Sequence, residues 1–96
     1  MLILVTYDVN TETEEGRKRL KKVAKMCLNY GQRVQNSVFE CLLDASQFVY
    51  FKAKMEELID KETDSLRFYN LGIRYQRKVE HIGVLPSFSQ DEVLLI

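Results

Sequence analysis

Residues 2–9, Leu2-Ile3-Leu4-Val5-Thr6-Tyr7-Asp8-Val9, are apolar or β-branched almost throughout, the pattern of a central strand covered on both faces. Leu20, Val23, Ala24, Cys27 and Leu28 then recur at helical spacing, which predicts an apolar stripe on a helix over 13–29. Thr11-Glu12-Thr13-Glu14 reads as a capping box at its start, and Gly31 stands where a left-handed C-cap is expected. Arg33 to Asn36 and Ser37 to Leu43 read as strand segments with a turn or bulge at Asn36-Ser37. Asp44 and Ser46 offer N-caps for a second helix over 46–61, with Phe48, Phe51, Met55, Leu58 and Ile59 as its apolar face. A strand over 65–71 ends at Gly72, and a last short strand is expected at 79–84. The terminal Val93-Leu94-Leu95-Ile96 is apolar and is expected to dock on its own domain or to extend a partner's sheet.

Strand–helix–strand–strand–helix–strand is the order of a ferredoxin-like α+β sandwich with both helices on one sheet face. Ile3, Val5, Tyr7 and Val9 fall on one side of the first strand, and Leu2, Leu4, Thr6 and Asp8 on the other. Both sides are mainly apolar, and one helical layer covers only one of them. A homodimer packed sheet to sheet answers the second. The 96 residues suit a single core, read as a core over 1–78 and a C-terminal strand and tail over 79–96 that pairs with the partner subunit. No apolar run reaches the length of a membrane span, so no membrane partner is expected and the chain is read as cytoplasmic. Two cysteines make no disulfide framework; Cys27 and Cys41 read as packing residues.

Net charge is zero but segregated. Residues 16–39 carry +7 with no acid, residues 65–78 carry +4 with none, and residues 40–64 net −4. Two acid-free basic blocks suit a polyanionic partner, although solvated helix faces give similar runs. Chemistry-bearing residues are few. There is no glycine-rich phosphate loop, no zinc-spaced cysteine pair and no Ser-His-Asp set, and His81 is alone. Asp8 ends an apolar strand just before a helix, where functional groups often stand; its alternative is a turn-forming Asp. A single carboxylate makes a poor Mg²⁺ site, whereas a twofold axis brings two together.

Three stretches, Val5-Thr6-Tyr7-Asp8-Val9, Gly31 to Glu40 (Gly-Gln-Arg-Val-Gln-Asn-Ser-Val-Phe-Glu) and Asp64-Ser65-Leu66-Arg67-Phe68-Tyr69, together resemble the CRISPR-associated small nuclease family, the lesser of the two universal spacer-acquisition proteins. The resemblance covers nearly the whole chain. It implies a ferredoxin-like homodimer whose C-terminal strand completes the partner's sheet. It also implies a metal-dependent endonuclease, acting on single-stranded RNA in some members and double-stranded DNA in others. The resemblance further implies that this dimer bridges two integrase dimers and cradles the captured DNA duplex. By the same resemblance, Asp8 binds Mg²⁺, or Mn²⁺ in its place, with Tyr7 beside it in a catalytic role. Arg17, Lys18, Arg19, Arg33 and Phe39 become substrate-contacting or site-supporting residues, the helix-1 register being open, and Arg77 and Lys78 become DNA-backbone contacts. Arg17, Lys18, Lys21, Lys22 and Lys25 fall off the apolar stripe and favour duplex DNA through phosphate contacts. Three alternatives stand beside this reading: a non-catalytic DNA-binding adaptor of the integration complex, a single-stranded RNA endonuclease, and a small-ligand regulatory domain of the same fold.

Overall fold

The structure, a computed structural model, describes residues 1–84. In chain order these form β1 (Leu2–Asp8), α1 (Glu14–Tyr30), β2 (Gly31–Gln35), β3 (Val38–Leu42), α2 (Ala45–Leu58) and β4 (Ser65–Asn70). One antiparallel sheet runs β2-β3-β1-β4. Strand alternation divides its residues into two sets. Ile3, Val5, Tyr7 and Val9 join Phe39, Cys41 and Leu43 beneath Val23 and Cys27 of α1 and Phe51 and Met55 of α2, forming one buried core. Both helices therefore cover the same face. Phe51 anchors it, its ring 5.1 Å from Tyr30 and 6.0 Å from Phe68; burying such a side chain contributes about 1.5–3 kcal/mol.

The opposite face carries Leu4, Thr6 and Asp8 of β1, Val38, Glu40 and Leu42 of β3, and Ser65, Arg67 and Tyr69 of β4, which lie opposite one another in the ladder. Leu42 and Tyr69 are exposed, so the described residues leave much of this face uncovered. A shallow groove of about 620 Å³ runs along it between Leu2, Gln32, Glu40 and Leu42 and the returning Tyr75 and Val79. Leu2 is buried beneath chain that leaves β4, where the amide of Leu71 donates to the Leu2 carbonyl and that of Leu2 to the Gly72 carbonyl.

The elements depart from the sequence expectations in instructive places. Thr13, not Thr11, caps α1, accepting from the Gly16 amide at 3.0 Å. Asn10 takes the Glu12 amide at 2.9 Å, which turns residues 10–12 out of the helix. Gly31 is extended, not left-handed, and starts β2 directly. Its need for glycine is steric: a Cβ there would overlap the Glu40 carbonyl oxygen and sit 2.8 Å from Cys41 Sγ. Leu28 is exposed and falls off the packed stripe. Asp44 and Gln47 form the capping box of α2. That helix stops at Leu58 because Ile59 is extended and Asp60 opens a turn closed by the Thr63 and Asp64 amides. The register shift falls between Arg33 and Gln35, just before the Asn36-Ser37 turn.

No strand forms at 79–84 within the single chain. Val79, Ile82 and Val84 are exposed there, and no neighbouring strand edge meets them. The apolar tail at 93–96 lies outside the described residues. No helix among the described residues is long and apolar enough to cross a membrane.

Candidate functional site

Asp8 is the last residue of the central strand β1, exposed and facing away from the helices. No donor among the described residues reaches its carboxylate. The turn that follows is organised instead by Asn10, which removes the turn-forming alternative for Asp8. Thr6 pairs with Arg67 and Asp8 with Ser65 across β1 and β4, so Arg67 shares the Asp8 face as a diagonal neighbour. Its guanidinium donates to the Tyr69 hydroxyl at 3.0 Å. Arg67 lies in the third motif stretch and the second basic block, with no site role attached to it; the signal that locates it is its even spacing from Ser65.

Tyr7 lies on the other face. It is 6% exposed, its ring stacked on Phe39 with centroids 6.1 Å apart and its hydroxyl donating to the Asn36 carbonyl at 3.5 Å. Burial raises its phenol above the ordinary tyrosine range, while the neighbouring Arg33 guanidinium pulls the other way. A strand's period of two separates Tyr7 from Asp8, so adjacency in sequence does not bring them to one site. Phe39 is wholly buried in the helix-facing core, which corrects its expected place at a nucleic-acid surface. Arg33 pairs with Phe39 in the ladder and lies over its ring at 5.0 Å, its Nε buried without a hydrogen-bond partner among the described residues. Tyr7, Arg33 and Phe39 thus form one packed stack under the β2–β3 turn.

The basic helix residues divide as well. Arg17 donates to the Thr11 carbonyl at 3.1 Å, and Lys18 pairs with Glu14 at 3.7 Å, both ends well exposed. Lys21, Lys22 and Lys25 are exposed without an ion-pair partner among the described residues. They belong to the helix layer, on the side opposite Asp8. Arg77 is exposed, and Lys78 turns back to donate to the Leu71 carbonyl at 3.1 Å.

Arg19 does not reach outward. Its Nε donates to Asp64 Oδ2 at 2.9 Å and its Nη2 to Oδ1 at 3.4 Å. The Asp64 side chain is fully removed from solvent and also accepts from the Asn10 and Asp60 amides, each at 2.9 Å, and from the Thr63 hydroxyl at 3.2 Å. Burial opposes its ionisation, but Arg19, the two amides and Thr63 together bring its carboxyl down to about 2. Asp64 opens the third motif stretch, but the sequence attaches no role to it; the paired signal, an Asp directly before a strand and an Arg on the facing helix, becomes visible only once the two elements are docked.

The buried thiols are inert. Burial pushes Cys41 up to about 12 and Cys27 upward too. His81 is exposed, its Nε2 3.0 Å from the Gly83 carbonyl. No cluster of three metal-ligating side chains exists among the described residues.

Comparison with known proteins decides the kinship. The family model "CRISPR associated protein Cas2" matches residues 1–79. The chain belongs to the Cas2 family. It is 57% identical over 95 residues to the CRISPR-associated endonuclease Cas2 of Halalkalibacterium halodurans, covering 99% of both chains. It is 59% identical over 96 residues to the CRISPR-associated endoribonuclease Cas2 of Chlorobaculum tepidum, covering the whole of each. Among solved structures, Streptococcus pyogenes Cas2 at pH 6.5 matches with a TM-score of 0.74 and 60% identity, over 86% of this chain and all of that one. A hypothetical protein TT1823 of Thermus thermophilus matches at 0.70 and 35%, over 90% and 94%. Of these, the Halalkalibacterium halodurans and Chlorobaculum tepidum relatives carry nuclease names.

Proposed function

We propose that this Cas2-family chain is a homodimeric, metal-dependent endonuclease that hydrolyses phosphodiester bonds of double-stranded DNA. In the same assembly it holds duplex DNA with the integrase during spacer acquisition. The observation that carries the reading is the free carboxylate of Asp8, exposed at the end of the central strand on the helix-free face. One carboxylate per chain fits Mg²⁺, or Mn²⁺ in its place, only as part of a shared site, since Mg²⁺ takes one or two carboxylates with water and phosphate oxygens. Pairing of two open faces, each with Leu42 and Tyr69 exposed, supports such a site. The sheet order β4-β1-β3-β2 with both helices on one side supports the ferredoxin-like reading. The outer edge of β4, which pairs with no strand among the described residues, suits an incoming partner strand from residues 79–84 onward.

Asp8 is the residue to hold the ion; the chemistry such an ion supplies is polarisation of the phosphodiester and activation of water. Arg67 on the same face meets the phosphate flanking the reacting one. Lys21, Lys22 and Lys25, with Arg17, Lys18 and Arg77, hold duplex away from that centre through sequence-independent, salt-sensitive contacts. Tyr7, Arg33 and Phe39 support the site from the core and do not touch the reacting atoms. A second reading, single-stranded RNA as substrate, draws on the endoribonuclease names among the relatives. Stacking platforms for single strands use successive exposed aromatics, and on the open face Tyr69 is the sole aromatic among the described strand residues.

The test replaces Asp8 by Asn. Metal-dependent cleavage of duplex DNA is expected to vanish, while duplex binding in EDTA and its steep loss between about 50 and 200 mM salt persist. Cleavage that survives the substitution refutes the enzymatic reading. Lost cleavage of RNA alone, with duplex DNA never cut, selects the second.

A further inference from the structure

Asp8 has a problem that its own side chain does not solve. It stands at the last position of β1, and no group among the described residues holds its carboxylate, so its direction depends on the backbone alone. Strand ends fray, whereas a metal-binding group needs its geometry held to within about 0.5 Å. The chain just after Asp8 and the strand start beside it are nevertheless pinned, and one residue does the pinning. The Asn10 amide, two residues beyond Asp8, donates to Asp64 Oδ1 at 2.9 Å. The residue after Asp64 is Ser65, which pairs directly with Asp8 across the sheet. The same carboxylate takes the Asp60 amide from the loop before β4 and the Arg19 guanidinium from α1. Exit from β1, entry to β4 and the first turns of α1 therefore meet on one buried anion. Gly16 closes the far side, its α-carbon packed against the Asn10 carbonyl with no room for a Cβ.

We propose that Asp64 is a positioning residue for Asp8, and that Arg19 acts through Asp64 and not on nucleic acid. The inference rests on the reading of Asp8 as the metal-binding carboxylate. Burial of the carboxylate and four separate donors make this a built arrangement and not a surface ion pair.

The experiment uses the full chain and Mn²⁺ as probe, with bound and free ion separated by electron paramagnetic resonance and amide exchange of Asn10 followed by NMR. Asp8→Asn abolishes the Mn²⁺ site. Asp64→Asn and Arg19→Gln are expected to weaken Mn²⁺ binding about 10-fold or more, the usual cost of losing an outer support of a metal ligand. Both are expected to speed exchange at Asn10. Arg19→Lys restores part of the affinity, because it keeps the charge and one donor. Duplex binding in EDTA stays unchanged in Asp64→Asn. Wild-type Mn²⁺ affinity in folded Asp64→Asn and Arg19→Gln, with Asp8→Asn silent, overturns the positioning role and leaves the role of Asp8 standing. Mn²⁺ binding that survives Asp8→Asn removes both. Should Asp64→Asn fail to fold, the two Arg19 variants decide alone, since that side chain is partly exposed.

Discussion

Gly16→Ala sets helix propensity against packing, and the two disagree in sign. Gly16 lies in the first turn of α1, where exchanging Gly for Ala gains about 1 kcal/mol in an unobstructed helix. Here the added methyl would overlap the Asn10 carbonyl oxygen and come within 3.0 Å of its carbon and 3.2 Å of Thr13 Oγ1. Two of these atoms are backbone and cannot rotate away. Overpacking against such a wall costs about 1–3 kcal/mol. The shift that relieves it also loosens the Thr13 cap on the Gly16 amide, worth about 1 kcal/mol. Packing exceeds propensity, for a net loss of about 1–3 kcal/mol. In a domain of this size that is a fall in Tm of roughly 5–15 °C, read by thermal and urea unfolding at one fixed protein concentration because association contributes to stability. The displaced group is Asn10, so metal-dependent cleavage should fall more than stability alone accounts for at 25 °C. A variant as stable as wild type, or more so, refutes the account of the β1–α1 junction.

Tyr7→Phe removes one hydrogen bond at the 3.5 Å limit, so stability should change by less than about 1 kcal/mol and cleavage should stay at the wild-type rate; a collapse of cleavage in folded protein places the hydroxyl in the chemistry after all. Acid titration tests the Asp64 cluster. Its folded carboxyl, at about 2, lies below its ordinary 3.8, so it contributes stability that is complete above the ordinary value and lost as pH falls through the folded one. The urea midpoints of wild type and Asp64→Asn should differ by a constant amount from pH 7 to about 5 and converge between about 4 and 2; a gap unchanged at pH 2 contradicts the assignment.

The elements were largely legible because apolar spacing is dictated by one buried face. Ile3, Val5 and Tyr7 alternate, Val23 and Cys27 repeat by helical turns, and each landed in the core. What periodicity leaves open is which of several local options wins. Thr11 and Thr13 both qualify as caps until Asn10 claims the Glu12 amide. A glycine after a helix suggests a left-handed turn until the neighbouring strand proves to lie too close for a Cβ. Within the site, Asp8 was readable as an acid ending a strand, and alternation along β1 already set Tyr7 on the other side; only the family resemblance put the two together, because a motif is linear and a pleat is not. Asp64 and Arg19 are 45 positions apart, and only docking of α1 against the start of β4 brings a buried charge and its partner together.

The placement of Tyr7 and Asp8 on opposite sides of one ribbon makes β1 intolerant of changes in length. A single residue inserted or deleted upstream within the strand would exchange their sides, burying a carboxylate in the hydrocarbon interior while presenting a phenol to water. Length variation among kindred chains should therefore accumulate at the Asn36-Ser37 turn and in the segment past residue 72, while the spacing from Leu2 to Asp8 stays fixed.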